Sequence, residues 1–362
     1  MNIKTLSALF ATALALSNTV SAADQVRIYN WAEYIGATTL KDFQAKTGIE
    51  PIYDTFSSNE TLESKLLTGR SGYDVVVPSN HFLAHQIKAG VFQKLDRNLL
   101  SNWGNLNPQL MDQLKNNDPD NAYAVPYLWG TTGIAYNVDK VQSALGIVRI
   151  ESWAALLEPE NLKKLSGCGV ALLDSPDEVF PPVLNYLGRD PNSTQTNDYK
   201  LAEQRLLELR PYITYFHSTK IVSDLANGNI CIALTWSGSA LQAKAQAEQA
   251  KNGIKIAYAM PREGVTLWFD MLAIPADSQN VAAAHSYINY LLEPETIAKV
   301  SEYVGYANPN QAADPVMSPE LRQNPNVYPS ESDMAKMFVV KERPSAVARL
   351  MTRAWNKIKS NR

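Results

Sequence analysis

The chain reads as an α/β protein of two lobes built on open sheets. Three observations predict this. Strand and helix patterns alternate over the first hundred residues, the stretch "YDVVVPS" is a continuous β-branched run suited to burial on both faces, and the alternation restarts past "YAVPYLWGTTGIAYN". A chain of 362 residues is also too long for one ordinary core and suits two.

The elements follow in order. "QVRIYNW" is a strand and "GATTLKDFQAKTG" a helix, with threonine as its cap and Gly48 as its stop. "EPIYDTF" is a second strand. "SSNETLESKLLTG" is a helix capped by serine or asparagine, with an acidic first turn and Gly69 beyond its end. "YDVVVPS" is a third strand and "NHFLAHQIKAG" a third helix. In the second half "SWAALLEPENLKKLSG" is helical. "CGVALLDSP" is a strand leading into the helix "DEVFPPVLNYLG". "ICIALTWSG", "IKIAYAMP" and "TLWFDMLAIP" are strands, and "SQNVAAAHSYINYLLE" and "PETIAKVSEYVG" are helices. No flexible linker separates the halves, so the lobes are joined by extended crossovers, placed near Trp129–Ile134 and near Ile256–Met260. The expected division is residues 23–131 with 260–320 in a first lobe and 132–259 in a second. Residues 321–362 form a C-terminal, helical segment packing on the lobes.

Composition narrows the function. Hydrophobic content of 45%, charged content of 19% and a net charge of −3 describe a globular protein without the basic stripes of a nucleic-acid binder. Residues 1–22 read as a cleavable export signal: Lys4 supplies the positive start, Leu6 to Leu16 the short apolar run, and Val20-Ser21-Ala22 the cleavage site. No cysteine lies near that cut, so no lipid anchor is expected. Two cysteines, Cys168 and Cys231, permit one disulfide in an exported chain or stay as two buried thiols. Four scattered histidines fit no zinc pattern, and no metal or cofactor is expected. Phosphate-loop, dinucleotide, nucleophile-elbow and zincin motifs are missing, and "TWSGSA" lacks the first glycine of a nucleophile turn. An exported two-lobed chain without a catalytic signature points to capture rather than catalysis.

Two aromatic–acid pairs carry the chemistry. In a strand, residues i and i+2 face one side. Trp268 and Asp270 of "LWFDML" therefore share a face, and Trp31 and Glu33 of "YNWAEYI" do so if that strand stays extended. Ligands of open α/β sheets bind at the carboxyl ends of strands. An indole face attracts a cation by ~0.5–2 kcal/mol, and a carboxylate beside it takes charge-assisted hydrogen bonds. The pair suits an alkylammonium group, and a cation arriving with the ligand would neutralise Asp270. Internal partners are the competing reading: a buried arginine for Asp270, a core position for Trp268, solvent for Glu33. Glu178 in a strand-to-helix turn, Trp236 at a strand end, Ser79 after "VVVP" and Tyr306 in a turn are further candidates. Paired acids with tryptophan platforms also describe glycosidases. An amino acid or betaine is a third class of guest.

"YNWAEYI", "YDVVVPS", "YAVPYLWGTTGIAYNVDKV", "PENL", "YFHS", "DLANGNICIAL", "IPAD" and "YANPN" together resemble the periplasmic polyamine-binding proteins of bacterial ABC importers. The resemblance covers nearly the whole chain after residue 22. It implies the two-lobed type II solute-binding fold with a hinge, no enzymatic activity, a periplasmic location, an inner-membrane ABC permease as partner, and a disulfide between Cys168 and Cys231. It also implies a pocket of Trp31, Tyr34, Ser79, Glu178, Trp236, Trp268, Asp270 and Tyr306. Glu178 and Asp270 would hold ammonium groups while the rings sandwich the carbon chain. Three positions depart from the putrescine-preferring branch: Ser239 and Glu33 stand where it has aspartate, and Trp268 where it has phenylalanine. These departures resemble spermidine-preferring relatives, so spermidine is the expected guest and putrescine the alternative. His81 lies near the expected ligand path without an assigned role.

Overall fold

The computed structural model describes residues 24–360. The expected export signal lies outside them. Ten strands form one mixed sheet: β1 (Gln25–Trp31), β2 (Glu50–Phe56), β3 (Val75–Val76), β4 (Ala124–Asn137), β5 (Val170–Leu172), β6 (Tyr215–Phe216), β7 (Ile232–Trp236), β8 (Ile256–Ala259), β9 (Thr266–Ala273) and β10 (Phe338–Val339). Their order is β2-β1-β3-β9-β4-β7-β5-β6, with β8 beside β4 and β10 beside β9. The outer trios β2-β1-β3 and β7-β5-β6 are parallel, and β9 and β4 run antiparallel between them.

β4 belongs to both halves. Its residues Ala124 to Thr132 pair with β9, and Thr132 to Asn137 pair with β7 and β8. Two apolar cores lie on either side of this change of partner. One gathers residues from 26 to 129 and from 267 to 327, including Phe43, Leu83, Phe269 and Tyr287. The other gathers residues from 134 to 265 together with Val347, Met351, Trp355 and Ile358 of the C-terminal helix Ser345–Ser360. A continuous buried strand crossing between two separate cores is the layout of a hinged, two-lobed protein. Cys168 and Cys231 form a disulfide in the second lobe, with Cα atoms 5.4 Å apart.

Several sequence expectations need correction. The first strand stops at Trp31, because Glu33 takes a left-handed conformation with φ of 56°, so Trp31 and Glu33 are not a same-face strand pair. The run "YDVVVPS" contributes Val75–Val76 as a strand and Ser79 as an isolated bridge to Asp270 of β9. Asp74 bounds the strand at its start: its backbone N–H donates to the Arg27 carbonyl, but its carboxylate, not a backbone carbonyl, accepts from the Arg27 N–H, and Pro78 beyond the strand's end has no N–H to donate. Pro159 splits the helix expected over "SWAALLEPENLKKLSG" into Ala154–Leu157 and Pro159–Leu165. Thr38 does not cap its helix through its side chain; its hydroxyl bonds Asp42 instead. Ser58 does cap the next one, accepting from the Thr61 N–H at 3.2 Å. The second crossover is the turn after β8, and Ile256–Ala259 itself is a strand on β4.

Candidate functional site

Strand ends build the site. β1 ends at Trp31, β7 at Trp236, and β9 carries Trp268 and Asp270 on the face opposite Phe269, which packs against Trp129. Each ring is anchored. The Trp31 indole N–H donates to the Val77 carbonyl at 2.9 Å, and its ring lies 4.6 Å from Phe56. Phe56 is the register partner of Trp31 at the end of β2. Trp31 and Trp236 meet edge to face across the lobes at 5.7 Å. Tyr306 stands between Tyr34 and Trp268, with centroids 5.1 and 5.4 Å away. Two glycines permit this crowding. A Cβ on Gly238 would come within 2.4 Å of the Tyr306 ring, and one on Gly130 within 2.9 Å of the Trp268 indole.

The resulting cavity is lined by all ten residues singled out in the sequence: Trp31, Glu33, Tyr34, Ser79, Glu178, Trp236, Ser239, Trp268, Asp270 and Tyr306. Its space, mouth included, is about 530 Å³. It is a narrow slot between rings rather than a chamber. Glu33 is exposed at its rim. The Ser239 hydroxyl is 3.4 Å from that of Tyr306 and links the lobes. His81 does not line the slot. It faces a separate cavity beside Glu60, Asp177 and Arg343, and its Nε2 is buried without a partner.

Two carboxylates are buried in the slot, and among the described residues neither forms an ion pair with lysine or arginine. Asp270 accepts a 2.6 Å hydrogen bond from the Ser79 hydroxyl, which in turn accepts from the Asn59 amide at 2.9 Å. Ser79 therefore serves Asp270 with its hydroxyl and makes no side-chain cap to the helix Asn80–Lys88. Burial pushes the Asp270 carboxyl up to about 7, against the lowering pull of Ser79 and Tyr34 and with added repulsion from Glu178. The Tyr34 hydroxyl influences Asp270 without a bond of proper geometry; its oxygen is buried and unpartnered. Glu178 lies in the first turn of the helix Pro176–Tyr186 and accepts from the Thr132 hydroxyl at 2.6 Å. Burial pushes it to about 7 as well, with Thr132 and Trp236 pulling down, Asp177 adding repulsion and the Arg343 charge a smaller lowering pull. Two buried acids with no ion-pair partner are costly as carboxylates, and a ligand carrying positive charge would relieve both.

A family model, bacterial extracellular solute-binding protein, matches residues 38–329. The chain belongs to that family. It is 49% identical to the putrescine-binding periplasmic protein of Escherichia coli (strain K12), across 100% of this chain and 99% of that one. It is also 49% identical to a putrescine-binding periplasmic protein of Pseudomonas aeruginosa (strain UCBPP-PA14), across 99% and 98%. Among solved structures it resembles the spermidine/putrescine ABC transporter substrate-binding protein of Streptococcus pneumoniae, with a TM-score of 0.74 and 28% identity over 94% of this chain and 99% of that one. The family and these relatives are substrate-binding transport proteins, not enzymes.

Some residues of the slot escaped the sequence reading. Phe56, Ser218, Thr219, Val222 and Gln242 also line it. Phe56 was within reach, since it ends a parallel strand beside Trp31. Gln242 lies on the helix Ser237–Ala250, which directly follows β7 and shows little apolar periodicity; its amide donates to the Val304 carbonyl at 2.9 Å across the lobes.

Proposed function

We propose that this chain is a periplasmic receptor that captures a polyamine and passes it to an ABC permease. The observation that carries this reading is the pair of buried carboxylates, Glu178 and Asp270, facing one ring-lined slot with no lysine or arginine ion-paired to either among the described residues. Alkylammonium ends supply the missing charge, and methylenes pack on Trp31, Trp236, Trp268 and Tyr306. The names of relatives at 49% identity favour putrescine over the spermidine preference expected from sequence. Spermidine is the second reading, and a specific feature favours it. Ser239 offers a hydroxyl where an acid would shorten the slot, and Glu33 at the rim adds a third negative group for a third ammonium. Calorimetry of the purified protein with each amine separates them. Putrescine binding as tight as or tighter than spermidine supports the first reading. Spermidine tighter by tenfold or more supports the second. Binding of neither amine, or turnover of a glycan, overturns both.

A further inference from the structure

Thr132 occupies the point where β4 changes partner. It is in register with Thr266 of β9 on one side and with Trp236 of β7 on the other. Its side chain is fully buried. The hydroxyl has two neighbours, one from each lobe: Trp268 Nε1 at 3.2 Å and Glu178 Oε2 at 2.6 Å. With Glu178 ionised, chemistry fixes the direction of these bonds. An indole N–H only donates, an ionised carboxylate only accepts, and a hydroxyl does both. The proton order is therefore Trp268 N–H to Thr132 oxygen, and Thr132 O–H to Glu178. The adjacent Thr131 is tied to the second lobe, with its Oγ1 2.9 Å from the Tyr258 hydroxyl and its backbone N–H donating to Ser237 Oγ at 3.4 Å.

We propose that Thr132 is a positioning residue at the hinge: through one hydroxyl it sets the indole of the first lobe and the acid of the second for the same guest. This rests on the polyamine reading given above. Trp268 comes from the first lobe and Glu178 from the second, so the Thr132 hydroxyl joins one residue of each. A bond chain through the hinge strand thus couples lobe angle to the orientation of the acid. The hydroxyl also favours the ionised form of Glu178. The other groups acting on Glu178 are Trp236, Asp177 and Arg343, and Glu178 in turn acts on Tyr258, Tyr306 and Asp270.

Two variants test this, Thr132→Val, which keeps the shape and removes the hydroxyl, and Thr132→Ser, which keeps the hydroxyl. The first readout needs no ligand. Tryptophan emission is followed against pH, with Trp268→Phe identifying the contribution of that indole. The expected result is a Trp268 midpoint raised by about half a unit or more in Thr132→Val and restored in Thr132→Ser. The second readout is calorimetry with putrescine and spermidine. Thr132→Val is expected to lose about tenfold or more in affinity, with Thr132→Ser recovering most of it. An unchanged emission midpoint in a folded Thr132→Val overturns the proposal, as does Thr132→Val affinity within twofold of the parent protein. A structural role alone would lower the melting temperature without moving the midpoint. A parent protein that binds neither amine refutes the polyamine reading instead, and leaves the emission titration to decide the role of Thr132.

Discussion

Asp270 sits in the middle of a buried strand, where a carboxylate is expensive unless something compensates it. Ser79 supplies one hydrogen bond and no charge. On the proposed reading an ammonium group of the guest supplies the remaining compensation. Asp270→Asn removes the charge while keeping an acceptor for Ser79. It is expected to weaken amine binding by about 2–3 kcal/mol in calorimetry; a loss below about 0.5 kcal/mol would exclude a direct contact. Both acids also dictate the pH dependence. In the folded protein they keep their protons until about pH 7, whereas in the unfolded chain they ionise near 4. The folded state therefore binds more protons in that interval, and the contribution of these two groups to stability falls as pH rises from about 4 to about 7. An alkylammonium guest remains charged throughout and prefers the ionised acids. The rise in melting temperature caused by a fixed amine concentration should accordingly be larger at pH 8 than at pH 5.5. Equal shifts at both values would contradict buried, uncompensated carboxylates.

At the scale of elements, the helix Ser237–Ala250 starts directly at the end of β7 and brings Gly238 against Tyr306. Gly238→Ala forces that ring or the helix to move. Overpacking of this kind costs about 1–3 kcal/mol, and here it should appear in amine affinity as well as in stability, since Tyr306 is a wall of the slot. The disulfide offers the contrasting case. Cys231 directly precedes β7, and five strand rises of about 17 Å in all separate it from Trp236, the last residue of that strand. Replacing both cysteines by serine should lower stability by about 2–4 kcal/mol in denaturant unfolding and leave amine affinity within twofold. These elements also mark what the sequence could reveal. Strands with dense β-branched or alternating runs, such as β1, β7 and β9, were legible, and with them Trp31, Trp236, Trp268 and Asp270. The left-handed turn at Glu33 was hidden, because a non-glycine residue at positive φ leaves no mark in composition. The helix after β7 was hidden too, since its alanine-rich sequence has buried residues but little amphipathic contrast. Thr132 was invisible for a different reason: its importance comes from facing two lobes at once, and no local pattern encodes that.

For the whole molecule, the slot exists only because two cores share β4 and close on each other. Contacts between the lobes outside the acids include Trp31 with Trp236, Ser239 with Tyr306, Gln242 with Val304, and the Ser175 hydroxyl donating to Glu60 at 3.1 Å. A ligand bridging Glu178 and Asp270 adds contacts that an open arrangement lacks, so it should shift the population toward closure. Small-angle scattering should then show a smaller radius of gyration on adding amine, and an unchanged radius would argue against hinge closure. The most direct test of the account is a crystal structure of the protein grown with putrescine. Density for the diamine is expected along the ring-lined slot, with its nitrogens about 3 Å from the carboxylates of Glu178 and Asp270. Amine nitrogens remote from both acids, or a slot left to solvent at saturating putrescine, would contradict it.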